Sequence, residues 1–576
     1  MPLTGCIDKD YDLSDIDTNV RVEVDDLVVP VNLDAITLSN IFDIDNDDEN
    51  SVIKEIGDSY AVLVNGNFMS SDIRIADVTL SNTGVNPIVV TTSTSGIEVP
   101  PGANSVFVSL PFGNALTDFS FVNSSIDSSI RAFDRVGTNW TIRLTLDFGD
   151  FASMLSTVTI KDLVLRLPDG LVTPDYTNNN GLVQVGDRQT DASGKLVLDI
   201  PVTAIDVASL PENEFKFTPD AAGVNPGTVS YAGKLGVESG IVTGTLQSGT
   251  PVPSTVTMVV TPFLGNIEVR TFSGILAYTL DSFNVDNVTL NDLPDVLTQE
   301  DTDIRISNPQ LYLSVNNPVA PYKGVAHSGL SLTPLRDGVA SAPCVLPSSS
   351  LIEIGYDKGA VGPYVYCLSP SRPDSYYEGY AGATHLQYPA LADVLSGKGL
   401  PTEIAVSFDN AGIGGADNHV VDFPVGKRLD DVEGAYTFYA PLAFDAGSQV
   451  VYAETEDGWN DDTLDKLTIR KVGLKATVDN TLPFDIVLSG YPVDVDGNQC
   501  KDASGRLAEL SSVRVKAGET SEINLESNGV EIQGLDGIRY EARAEVTKGN
   551  ELLRPSATIT LSGIRVTVSG YYEDEL

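Results

Sequence analysis

Apolar and polar residues alternate with a period of two along much of this chain. Val20-Arg21-Val22-Glu23-Val24, Thr157-Val158-Thr159-Ile160, Asp303-Ile304-Arg305-Ile306 and Ile564-Arg565-Val566-Thr567-Val568 all read this way. In an extended backbone successive side chains point to opposite faces, so each run predicts a strand with one face buried. Gly, Pro, Asn and Asp bound the runs, as expected where the chain must turn. Helical periodicity is nearly absent, and short helical turns are expected only at 33–42, 294–297 and 389–395. The pattern predicts an all-β protein: several immunoglobulin-like antiparallel β-sandwich modules in series with few short helices. Strand content should exceed about 35% and helix fall below about 12%, against averages of roughly 20–25% and 30–35%.

One local theme recurs three times: a strand, an Asn-containing turn, a proline and usually a second strand. It runs through Asn82, Asn86 and Pro87, through Asn316, Asn317 and Pro318, and through Asn480 and Pro483. Asn tolerates tight-turn backbone and Pro ends ladder pairing, so related sandwich modules and convergent turn chemistry explain the theme equally well. Length predicts roughly three to five domains. A tether is expected over 1–19, an N-terminal β-sandwich region of one or two modules over 20–222, a central β-sandwich region over 223–440 and a C-terminal β-sandwich over 441–576.

Composition narrows the partners. The formal net charge is −45, and residues 1–60 alone carry 16 Asp and Glu against Lys9, Arg21 and Lys54. Such a field repels phosphate backbones and anionic membranes, which excludes nucleic acid as a partner. No run of about 18 consecutive apolar residues is present, so no membrane-crossing helix is expected.

The chain's opening, Leu3-Thr4-Gly5-Cys6, resembles the lipobox of bacterial lipoproteins. Asp8-Lys9-Asp10-Tyr11-Asp12-Leu13-Ser14-Asp15-Ile16-Asp17 follows it and looks like the acidic surface-export tether of Bacteroidota lipoproteins. Export also requires an apolar segment of roughly 7–15 residues, which would have to lie upstream of Met1. Later segments, among them Tyr364-Val365-Tyr366-Cys367-Leu368-Ser369-Pro370, Tyr439-Ala440-Pro441-Leu442 and Val451-Tyr452-Ala453-Glu454-Thr455-Glu456-Asp457-Gly458-Trp459-Asn460, are similar to those of uncharacterised Bacteroidota outer-membrane surface lipoproteins. The resemblance implies lipidation of Cys6, a membrane held through that N-terminal lipid, and an outer-membrane, cell-surface location. It carries no activity with it.

With Cys6 assigned to lipid, Cys344 and Cys367, which enclose 22 residues, form the natural disulfide pair and Cys500 is left over. Spacing does not fix connectivity. Metal binding by these cysteines is disfavoured, because no CxxC or Cys/His spacing occurs.

Catalytic constellations are missing. His327, His385 and His419 stand far apart, and there is no HExxH, GxSxG, GxxxxGK[ST] or helix-opening GxGxxG. An enzyme is therefore not expected, although 80 Asp and Glu would make a carboxylate pair easy to assemble. Two acidic runs imitate calcium loops. Asp43-Ile44-Asp45-Asn46-Asp47 is followed by Asp48 and Lys54 where Gly and Glu are required, and Asp494-Val495-Asp496-Gly497-Asn498 reads better as a hairpin turn. No cofactor is expected; calcium has only these incomplete loops in its favour.

Seven of the 21 tyrosines fall between 356 and 388. Tyrosine joins a flat apolar face to a polar tip, so Tyr376, Tyr377 and Tyr380 are candidate ligand-binding residues for a protein partner or surface glycan. The bland alternative, a loop packing its own rings, is the favoured one. Trp459, in an acidic turn, is a second candidate. The leading expectation is a non-catalytic surface protein with a structural or interaction role in a surface layer, complex or adhesion. The alternatives are a glycan-binding accessory lipoprotein of a nutrient-uptake system and a fimbrial-type subunit, which would show a removable edge strand and an open groove.

Overall fold

A computed structural model describes residues 19–29, 36–37, 51–211, 213–221, 223–280, 283–290, 293–356, 361–460 and 464–575. Of these, 60% are strand and 5% helix, in several antiparallel sheets with two short α-helices. The period-two runs form strands, although Val20–Val24 leaves Val22 exposed and buries no full face. In Arg135–Asp147, Val136, Thr138, Trp140, Ile142, Leu144 and Leu146 are buried while most of the alternate positions face outward. Burying each large apolar side chain stabilises by about 1.5–3 kcal/mol, which is what holds so many short strands together. The expected helical turns appear at Asp295–Thr298 and Pro389–Asp393, the second as a 3-10 turn. Residues 36–37, expected to be helical, instead pair as strand with Ile559 and Thr558.

The chain runs outward through three groups of sheets and returns. Its first described strand, Asn19–Val29, lies antiparallel along the last, Thr558–Glu575, with Asn19 opposite Glu575 and Val29 opposite Val566. These two join Thr468–Asn480 and Glu519–Glu526 in one sheet. The neighbouring sheet is built from Ser396–Lys398, Asp303–Arg305, Gln449–Glu456, Gly537–Glu545, Asp485–Val493 and Val513–Val515. The Arg21 guanidinium sits 3.3 Å above the Tyr571 ring and Arg470 sits 4.4 Å from it, fastening the first strand at this edge.

Ser59–Ser70 then enters a middle sheet, ordered Phe283–Val285, Ser59–Ser70, Glu433–Pro441, Gln310–Val315, Tyr364–Ser369 and Thr384–Gln387. The last pair is parallel. Beyond it, Val78–Val85 through Ile267–Thr279 build a far sandwich, whose longest ladder pairs Ser105–Ile126 with Gly227–Gln247. Ile267–Thr279 also pairs with Glu403–Pro424, and so ties the far sandwich to the return path.

The expected boundaries therefore need correcting. The ladder from Gly227↔Ile126 to Gln247↔Ser105 crosses 222/223, Ser59–Ser70 pairs with Glu433–Pro441 across the expected regions, and the first strand belongs with the C-terminal sheets. The modules are nested rather than serial. Backbone ladders use groups that every residue carries, so pattern predicts a strand without naming its partner.

Turn chemistry accounts for the recurring asparagine theme. Asn317 and Asn480 are fully buried. Asn317 Oδ1 accepts from the Val319 N–H at 3.1 Å and Asn480 Oδ1 from the Leu482 N–H at 3.1 Å, while their amides donate to the Gly324 and Phe484 carbonyls. Asn82 makes the equivalent bond to the Gly84 N–H but is only half-buried. The Asp494 run is a hairpin turn: its carboxylate accepts from the Asp496 and Asn498 N–H groups, and Gly497 takes φ +76°. Asp191-Ala192-Ser193-Gly194-Lys195 and Asp502-Ala503-Ser504-Gly505-Arg506 use their first aspartates in the same way. The Asp43–Asp47 run lies outside the described residues.

Candidate functional site

Alternation on the middle sheet separates two faces. Leu311, Leu313 and Val315 of Gln310–Val315, with Tyr436 and Phe438 of the adjacent strand, belong to the main core. Tyr312 and Cys367 face the other way, into a small separate cluster. Register sets Tyr312 opposite Thr437 and Cys367, and Thr437 opposite Asn65.

The tyrosine-rich loop seals this half of the outer face. Tyr312 is fully buried, with its ring centroid 4.6 Å from Tyr380, 6.3 Å from Tyr377 and 6.4 Å from Tyr376. Tyr377 lies 4.9 Å from Tyr439. The Tyr312 hydroxyl donates to Gln310 Oε1 and accepts the Tyr377 N–H at 2.8 Å. Tyr380 Oη meets Thr437 Oγ1 at 2.9 Å, and Thr437 Oγ1 donates to Asn65 Oδ1 at 2.6 Å. The Tyr376 hydroxyl is buried without a hydrogen-bond partner among the described residues. Tyr376, Tyr377 and Tyr380 are half-buried packing residues.

The disulfide assignment is corrected. Cys344, Cys367 and Cys500 are buried free thiols. Cys344 belongs to the main core and pairs with Leu332 in one sheet, whereas Cys367 lies in the outer-face cluster of another. Burial pushes all three thiols up; that of Cys500 reaches about 11, with Asp494 adding to it, and Tyr312 and Ser369 hydrogen bonds partly oppose burial at Cys367. Cys6 lies outside the described residues. Trp459 is half-buried against the main core, in a turn held by Asp536, whose carboxylate accepts from the Gly458 and Asn460 N–H groups. It does not join the tyrosines.

The histidines serve separate contacts. His419 Nδ1 lies 2.6 Å from Asp134 Oδ2 on the surface. His385 Nε2 lies 2.9 Å from Ser369 Oγ, but Ser369 is fully buried and donates to the Ser371 carbonyl. Burial lowers the pKa of His327 and of His385. Among the described residues no three His, Cys, Asp or Glu form a metal-holding group, and no helix is long and apolar enough to cross a membrane.

Along the same outer face, two residues further down each strand, the sheet lies open. Asn67, Met69, Asn284, Asp286, Ser314, Asn316, Pro363, Glu433 and Ala435 surround a groove of about 590 Å³. A second hollow of about 490 Å³ shares Asn316 and Glu433 and adds Arg428, Asp430 and Asp431. Gly434, between Glu433 and Ala435, faces the core side, where a Cβ would come 2.2 Å from the buried Phe68 ring. Register alone unites these positions: Ala435 lies opposite both Ser314 and Asn67, and Asn284 lies opposite Met69. Sequence reasoning missed them, because single polar residues at 67, 284, 314 and 433 form no motif.

No family model matches the chain, and no curated protein matches it. Among solved structures it is similar to one described as a "putative secreted protein" from Parabacteroides distasonis ATCC 8503. That match has 14% identity and a TM-score of 0.34, covering 52% of this chain and 90% of that one. Likeness at that level carries no functional argument.

Proposed function

We propose that the protein is a non-catalytic interaction protein displayed at the outer-membrane surface through a lipid on Cys6. The observation that supports this reading is the closed topology. Strand Asn19–Val29 runs along the last strand, so the described chain begins in the same sheet that holds the C-terminal strand. A chain anchored there leaves the middle sheet and far sandwich for contacts, and the −45 charge keeps it clear of anionic surfaces. The fimbrial alternative gains no support. Asn19–Val29 is an edge strand, but Val22 and Val28 remain 53% and 48% exposed, so it fills no deep groove.

The test is metabolic labelling with a fatty-acid analogue, the chain being expressed behind a signal peptide. Wild type should take the label, Cys6→Ala should not, and protease added to intact cells should digest the labelled protein. Equal labelling of both, or protection in intact cells, overturns the proposal.

A further inference from the structure

We infer that the open half of the middle sheet's outer face is a binding groove for an uncharged saccharide chain. Six polar side chains converge there: Asn67, Asn284, Asp286, Ser314, Asn316 and Glu433. Among the described residues none of them has a hydrogen-bond or ion-pair partner, whereas on the sealed half Tyr380 bonds Thr437 and Thr437 bonds Asn65, and Tyr312 bonds Gln310 and the Tyr377 N–H. Three carboxamides each offer a donor and an acceptor, and a sugar hydroxyl offers the same pair. Met69, 42% exposed, and Ala435 and Pro363 lie among them as apolar surface for the C–H faces of a sugar ring.

Charge selects within that class. The main groove carries two carboxylates and no Lys or Arg in a chain of net charge −45, which disfavours uronates, sulfated glycans and phosphate esters. A divalent cation lacks the carboxylate cluster it needs. A peptide adding as a strand would pair at a sheet edge, whereas most of the groove lies over Glu433–Pro441 and Gln310–Val315, which are paired on both sides. The volume lies in the range of roughly 300–1,000 Å³ usual for small-molecule sites. The inference stands whether or not Cys6 is lipidated.

Affinity electrophoresis of the full chain through gels containing starch, α-mannan, xylan, galactomannan or β-1,3-glucan tests it, with polygalacturonate and chondroitin sulfate as anionic controls. At least one neutral polysaccharide should retard the protein. The double variant Asn67→Ala/Asn316→Ala should weaken that binding at least about tenfold, from two lost hydrogen bonds, with no change in melting temperature. Asn284→Ala/Asp286→Ala should do the same, and Tyr380→Phe should not. Retardation by no neutral polysaccharide, retardation by the anionic gels alone, or an unchanged dissociation constant in both double variants overturns the inference. Release of reducing ends from a retained polysaccharide would keep the groove and refute the non-catalytic reading.

Discussion

Two halves of one sheet face, built on the same strands, meet opposite fates. Around Tyr312 a loop closes over the sheet, and nearly every polar atom beneath it finds a partner. Two residues along each strand, at Asn67, Ser314 and Ala435, the covering stops and the polar groups of the groove have no partner among the described residues. Aromatic density in the sequence here marks packing, and the plainer residues beside it line the open groove. A ring cluster of this kind is a satellite core, which reduces the area available for binding rather than adding to it.

Tyr312→Ala puts the greatest strain on this contrast. Removing a fully buried ring that carries two hydrogen bonds should cost roughly 3–5 kcal/mol in urea unfolding. It should also expose Cys367 to alkylation, which in the wild type is slow because burial raises the thiol's pKa and leaves little thiolate. The wild-type rate should therefore climb as pH rises toward that elevated pKa. In denaturant Cys344, Cys367 and Cys500 should all titrate as free thiols, and a disulfide in peptide mapping would contradict the fold described here.

Replacing Tyr376, Tyr377 and Tyr380 together by Ala should cost about 2–4 kcal/mol, less than three buried rings would, because one side of each stays wet. An unchanged melting temperature would return these rings to the list of contact residues. A finer split separates their hydroxyls. Tyr380→Phe breaks the bond to Thr437 and should cost about 1 kcal/mol, whereas Tyr376→Phe removes an unpartnered buried hydroxyl and should be neutral or stabilising by up to about 1 kcal/mol. Equal effects would show that the two environments are not distinct. The smallest change is expected in the open half: Asn67→Ala/Asn316→Ala should leave stability within about 0.5 kcal/mol, since neither side chain has a partner to lose. A larger loss would mean the groove polar groups are structural.

Fold class was legible because it rests on local physics. Val136, Trp140 and Leu144 alternate with outward residues in Arg135–Asp147, and that alone predicts a half-buried strand. Asn317, Asn480 and Asp494 were legible as turn residues, because their side chains bond to backbone two to four residues away. The cysteine pairing failed because proximity in sequence says nothing about which sheet face a strand presents.

Sequence by itself determined an all-β protein, its turn chemistry and its acidity, since strand period, Asx turns and charge are set by neighbouring residues. Tertiary structure alone decided that the first strand lies on the last, that Ser59–Ser70 lies beside Glu433–Pro441, and that one half of a face is sealed while the other is open. Those choices depend on backbone ladders common to all residues and on burial shared by strands hundreds of positions apart. Pattern along the chain shows that a strand has an inner and an outer side, and only the packed fold shows what lies against each.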